Sequence, residues 1–178
     1  MEYLTIKTAR TNIIPYSHHY LEEIYEYRKD PNINCFYSIK TESSEELKDY
    51  INKHNKYFYE ENSYTIFVIK SNVRNRIIGE IAVKSWENNT ISAIGFAINP
   101  KEQNKGYAKE CVKAFCDHLM LKENRVRIQA DVDQRNKKSI KILEYVGMKK
   151  EEEFKKHEEN SEDGIIEYMY GINRSNSR

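Results

Sequence analysis

The sequence predicts a mixed α+β fold, in which a mostly antiparallel central sheet carries helices on both faces. Three observations predict it. Short apolar stretches that alternate with period two recur along the chain and read as strands. Between them lie longer stretches whose apolar residues recur every three or four positions, as a helix buried on one side requires. One stretch, Ile94 to Leu121, carries both signals in succession, a strand running through a polar loop into a helix.

Leu4 and Ile6 alternate with polar neighbours over Tyr3 to Thr8, the first strand, and Thr11 to Tyr16 is a second extended piece. His19 to Arg28 is helical, with Leu21, Ile24 and Tyr25 on one face, and Asp30-Pro31-Asn32 breaks it. Thr41 to Glu46 is an acidic, Ser-rich helix start, and the helix behind it runs to about Tyr59 with Leu47, Tyr50, Ile51, His54 and Phe58 on its less polar face. Ser63 to Lys70 is a continuous apolar strand, so both faces should be covered. Arg76 to Trp86 follows, with Ile77, Ile81 and Val83 on one face and Ile78, Glu80, Ala82 and Trp86 on the other. Glu87-Asn88-Asn89 is a hairpin signal leading into the strand from Thr90.

In Ile94 to Leu121, Ile94, Phe96 and Ile98 point to one face of the strand, and Gly95 marks a bulge that splays it from its next neighbour. Pro100 ends it. A helix starts at about Gly106, with Ala108, Cys111, Val112, Phe115, Cys116 and Leu119 inward. Arg125 to Asp133 alternates, with Val126, Ile128, Ala130 and Val132 inward. Asn136 to Val146 is a helix closed by Gly147. Met148 to His157 is an edge strand, Glu158 to Asp163 a turn, and Ile165 to Ile172 the last strand. One domain is expected over residues 1–173, with 174–178 a frayed tail.

Composition narrows the function classes. With 39% hydrophobic and 32% charged residues, the 178-residue chain reads as globular and soluble. A net charge of +1 gives no electrostatic case for nucleic acid or an anionic membrane as partner. The apolar runs are too short to span a bilayer, and the start does not resemble a signal peptide. Cys35, Cys111 and Cys116 read as reduced thiols in a cytoplasmic protein. The five histidines show no metal-ligand spacing, so no metal is expected.

The polar loop, Gln103-Asn104-Lys105-Gly106-Tyr107-Ala108, stands where a strand delivers the chain to a helix N-terminus. Free backbone N–H groups and a partial positive charge converge there, an arrangement suited to anions. Gly106 and Ala108 let a phosphate approach the backbone, and Lys105 adds a donor. An ordinary surface loop would look similar.

This loop resembles the Q/R-x-x-G-x-G/A segment of GNAT-type N-acetyltransferases. Asn136-x-x-Ser139 followed by Gly147-Met148 resembles the family's N-x-x-S/A…G-F signature. Leu4 to Arg10 and Arg28-Lys29-Asp30-Pro31 resemble its RimJ/RimL branch. The resemblance implies that acetyl-CoA is the cosubstrate and that its pyrophosphate sits on the 103–108 loop. It also implies that the backbone of Phe96, Ala97 and Ile98 holds the pantetheine. The implied reaction transfers an acetyl group to a primary amine of a protein N-terminus or small molecule. A non-catalytic acyl-CoA-binding regulatory module is the alternative, and a homodimer is left open.

Asn136 would bond the cofactor arm or simply cap its helix. Ser139 matches the position whose hydroxyl lies near the cofactor sulfur in RimL-like relatives, and would donate to the leaving thiolate; a plain first-turn polar residue is the other reading. Many relatives carry a tyrosine where this chain has Leu143, and a glutamate where it has Ala93. Glu80, a carboxylate within an apolar strand, is the candidate base; otherwise it pairs on the surface with Lys84. As a base it predicts that Glu80→Gln costs turnover but little thermal stability. Asp131 and Asp133 are next in line. Nine of the fourteen tyrosines fall between Tyr16 and Tyr64, where an aromatic roof over the acceptor would lie.

Overall fold

The computed structural model describes residues 4–37, 42–156 and 164–174. Among these, eight strands form one sheet in the order β1-β2-β3-β4-β5-β6-β8-β7. The strands are β1 (Ile6–Lys7), β2 (Thr11–Pro15), β3 (Tyr64–Ser71), β4 (Ile77–Trp86), β5 (Ile91–Ile98), β6 (Arg127–Asp133), β7 (Lys149–Lys156) and β8 (Ile165–Asn173). Every pairing is antiparallel except β5 with β6. The helices are α1 (Leu21–Arg28), α2 (Pro31–Asn34), α3 (Ser44–His54), α4 (Tyr107–Leu121) and α5 (Lys137–Tyr145). The turn expected over 158–163 and the tail from 175 lie outside the described residues.

The sheet separates two apolar clusters. On one face Phe67, Ile81, Val83, Ile94 and Ile128 pack with Phe115 and Leu119 of α4 and Leu143 of α5. On the other, Ile66, Val68 and Ile77 pack with Leu21 and Ile24 of α1 and Leu47 and Ile51 of α3. Hence β3 is buried on both faces, as its unbroken apolar run requires.

The structure departs from the sequence reading at definite places, each with a physical reason. Asp30-Pro31 ends α1 but also starts α2: the Asp30 carboxylate accepts from the Asn32 N–H at 2.9 Å, and proline suits a first helical position. Helix α3 stops at His54 rather than near Tyr59. Asn55 leaves the helix to bridge Tyr64, and its side chain accepts from the Ile66 N–H at 2.7 Å. Phe58 therefore reaches the core from a loop. In β4 the expected facing of Ile77 and Ile78 is exchanged, because the ladder slips where Ile69 opposes Gly79 but Lys70 opposes Ile77. Val126 was expected inward but precedes β6 and is 50% exposed.

Candidate active site

The site begins where two strands part. β5 and β6 pair only at Ile91↔Arg127, Ser92↔Ile128 and Ala93↔Gln129. Beyond Ala93, β5 continues beside β4 to Gly79↔Ile98, while β6 continues beside β8. The ladder to β4 shows no register shift at Gly95, so the expected bulge is not there; the strands diverge without one. Asn99 N–H donates to Ile78 O on the β4 side. By the alternation of an antiparallel ladder, the backbone groups of Ile94, Phe96 and Ile98 then face the gap, and those of Ala97 face β4. Gln103 Nε2 closes one of them, donating to Ile98 O at 3.0 Å. The side chains of Ile94 and Ile98 are buried in the core, and Phe96 packs against it.

The far end of the gap meets the 103–108 loop. A single 3₁₀ turn, Pro100–Glu102, brings in Glu102, whose side chain is 1% exposed. Arg74, Arg76 and Lys105 all bond its carboxylate. The Lys105 hydrogen bond is the leading cause that holds this carboxyl below its usual range, against burial, with Arg76 and Arg74 assisting. Three cations share one anion, so the hub leaves net positive charge beside the loop. Asn104 (φ 60°) and Gly106 (φ 82°) are both left-handed. Gly106 occupies the N-cap of α4, with no side-chain cap. The N–H groups that begin α4 are therefore left without a capping side chain.

Arg10, which the sequence reading did not single out, ties the start of the chain to this loop. Its Nη1 donates to Lys105 O at 2.8 Å and its Nε to Glu110 Oε2 at 2.6 Å, and its guanidinium lies 4.4 Å from the Tyr107 ring centre. Glu110, in the first turn of α4, also accepts from Thr8 Oγ1 and Arg10 N–H. Ala108 packs against the core as expected.

Across the gap stands the N-terminus of α5. Asn136 caps it, its side chain accepting from the Ser139 N–H at 3.1 Å. Lys138 Nζ donates to Gln103 Oε1 at 2.9 Å, which joins this turn to the loop. Leu143 is buried in the core, and Tyr145 is 56% exposed on another side of the helix, where Lys109 lies over its ring. Neither stands in for a tyrosine at the gap.

Glu80 is not on the surface with Lys84. It is 3% exposed, and Arg28 donates to its Oε1 from Nε at 2.9 Å and Nη2 at 2.7 Å. Tyr37 Oη donates to the same oxygen at 2.5 Å, and the Tyr37 ring lies under the Arg28 guanidinium at 4.4 Å. Glu80 Oε2 and the neighbouring Tyr27 hydroxyl are buried with no hydrogen-bond partner among the described residues. Burial first, and then the Glu80 charge, pushes both the Tyr27 and Tyr37 hydroxyls well above their ordinary range. Burial works against the Arg28 charge, but Glu80 outweighs it and raises the guanidinium further. Of the aromatic region, Tyr50 and Tyr64 pack edge to face at 6.3 Å, while Tyr16 lines a cavity of about 320 Å³ with His18, Ile51 and Asn55.

Asp133, one of the reserve carboxylates, is 8% exposed and locked to Arg135. Burial pushes its carboxyl up, but the Arg135 bonds and charge outweigh that and hold it below its usual range.

Comparison with known proteins converges on one family. The family model described as "Acetyltransferase (GNAT) domain" matches residues 10–149. An uncharacterized N-acetyltransferase of Bacillus subtilis (strain 168), YnaD, is 28% identical over 94% of this chain and 95% of its own length. The crystal structure of a GNAT-family acetyltransferase from Bacillus anthracis superposes with a TM-score of 0.83 at 25% identity, covering 96% of this chain and 99% of that one. A spermidine N-acetyltransferase from Vibrio cholerae, solved with CoA and spermine, shares the fold with a TM-score of 0.79 at 20% identity, covering 93% of this chain and 96% of that one. The chain thus belongs to the GNAT acetyltransferase family, whose members take the acetyl group from acetyl-CoA.

Proposed function

We propose that this N-acetyltransferase holds acetyl-CoA in the β5/β6 gap and receives its amine on the sheet face that carries α1 and α3. The observation that carries this reading is the divergence beyond Ala93, which leaves strand backbone unpaired and leads straight to the Gly106 helix N-terminus. The residues present fit the cosubstrate. Arg10, Lys105, Lys138 and the start of α4 supply donors and positive charge for a pyrophosphate, joined by Gln103, Asn104 and Tyr107 of the loop. Gap-facing groups of Ile94, Phe96 and Ile98 suit a polar amide arm, which differs from the original expectation at Ala97. Bound acetyl-CoA supplies the thioester that the amine attacks.

Asn136 in this reading serves as a helix cap, because its side-chain oxygen is already taken. Ser139, in the first turn of α5, donates to the leaving thiolate in this reading. Glu80 takes a positioning role rather than that of base. Its Oε1 already accepts three hydrogen bonds and its Oε2 is enclosed, so the amine does not reach it. The acceptor is a primary amine, and the free thiols Cys35, Cys111 and Cys116 support a cytoplasmic setting.

Calorimetric titration with coenzyme A, followed by thiol release from acetyl-CoA with a polyamine, a peptide bearing a free N-terminus and an aminoglycoside, tests the reading. Failure to bind coenzyme A would overturn it. Ser139→Ala should lower kcat more than it weakens coenzyme A binding; a wild-type kcat would leave Ser139 with a structural role only.

A further inference from the structure

Register carries a second carboxylate to the gap. Paired residues share a sheet face, so Ala82↔Gly95 and Glu80↔Ala97 place Gly95 and Ala97 on the α1 and α3 side. Ala93↔Gln129 extends that face to β6, where period two adds Asp131. Gly95 and Asp131 each stand two residues beyond that last pair. They therefore face one another across the opening. Helices α1 and α3 pack over β3 and β4, with Ala82 and Ala97 among their partly buried contacts. Past them no described residue covers Gly95. Gly95 is exposed although β5 is central, and a side chain added there would meet nothing within 4 Å.

Asp131 makes no hydrogen bond or ion pair with any described residue. Three other nearby carboxylates are engaged: Glu80 with Arg28, Asp133 with Arg135, and Glu167 of β8 with Lys156 of β7. Asp131 is exposed at its position in β6, and the partial desolvation it keeps pushes its carboxyl above its ordinary range, which Lys156 partly opposes. Among the described residues, Arg127 on β6, Lys84 on β4 and Glu152 on β7, which shares the face through Met169, are the other charged groups near the opening, and Arg127 is taken by Glu151.

We propose that Asp131 is the catalytic base that receives a proton from the acceptor ammonium, directly or through one water. The inference rests on the acetyl-transfer reading above. The ammonium gives one proton to the Asp131 carboxylate and becomes a neutral amine. Its lone pair attacks the thioester carbonyl, forming the C–N bond, and the C–S bond then breaks. The nitrogen sheds its second proton as the thiolate gains one, yielding amide and free coenzyme A, and Asp131 returns its proton to solvent. Gly95 leaves the space in which the amine stands.

Asp131→Asn should lower kcat/KM for the amine by roughly 10²–10⁴, the usual worth of general base catalysis, and abolish the acidic limb of the pH–rate profile. Coenzyme A affinity and melting temperature should stay at wild-type values, since the side chain makes no hydrogen bond or ion pair with any described residue. Asp131→Glu should restore part of the rate together with an acidic limb. Coenzyme A binding separates the possible failures. Loss of that binding in the wild type overturns the cofactor reading and this inference together. Normal binding and amine acetylation, with Asp131→Asn within threefold of wild type and its acidic limb intact, overturns the assignment of Asp131 alone.

Discussion

Gly106→Glu should reduce coenzyme A affinity by about 100-fold or more, equivalent to about 2.8 kcal/mol, while the protein stays folded. Two effects act in the same direction. The new carboxylate would occupy the uncapped N-terminus of α4, the place proposed for the pyrophosphate. It would also draw on Arg10 and Lys105, whose donors lie against this turn. A Cβ at Gly106 meets Arg10 Nη2 at 3.3 Å, so the side chain enters among these groups rather than pointing clear of them. The left-handed φ of 82° adds about 1–2 kcal/mol of strain for any non-glycine residue. Gly106→Ala carries that strain without the charge, and should weaken binding far less. Calorimetry on both variants separates backbone from electrostatics. Wild-type affinity in a folded Gly106→Glu protein would remove the loop from the site.

Arg28→Ala should lower the melting temperature by about 10 °C. It leaves the Glu80 carboxylate buried without its counter-charge, a loss of about 3–5 kcal/mol, and a chain of this size shifts by about 2–4 °C per kcal/mol. Glu80→Gln should be comparably harmful, because it strands the guanidinium instead, with 6% of that side chain exposed. The expectation from sequence, that a near-isosteric glutamine would barely affect stability, presumed a carboxylate without a buried partner and is revised here. Combining Arg28→Met with Glu80→Gln removes both charges and should recover part of the loss. Thermal melts in which both single variants stay within 2 °C of wild type would show that the pair contributes nothing.

Local rules were legible in the sequence because they act over a few residues. An unbroken apolar run marked β3, period two marked β4 to β6, period 3.6 marked α4, and Gly106 followed by a helical run located the turn proposed for the pyrophosphate without knowledge of the rest of the chain. The family pattern rests on the same short segments. The 87–89 turn was equally plain, since asparagine tolerates the left-handed φ of 54° and 60° that Asn88 and Asn89 adopt.

What surrounds those elements was decided by packing between distant parts of the chain. Arg28 and Tyr37 reach Glu80 from 52 and 43 residues away, and Arg10 reaches the loop carbonyl across 95. One slipped residue in β4 exchanges Ile77 and Ile78 between the two cores, and a turn toward β3 ends α3 at His54. Alternation gave Glu80 and Asp131 the same polar appearance within a strand. Their environments differ because Arg28 of α1 and Tyr37 close over one and no described residue bonds the other, and burial and charge pairing belong to the assembled sheet rather than to either strand.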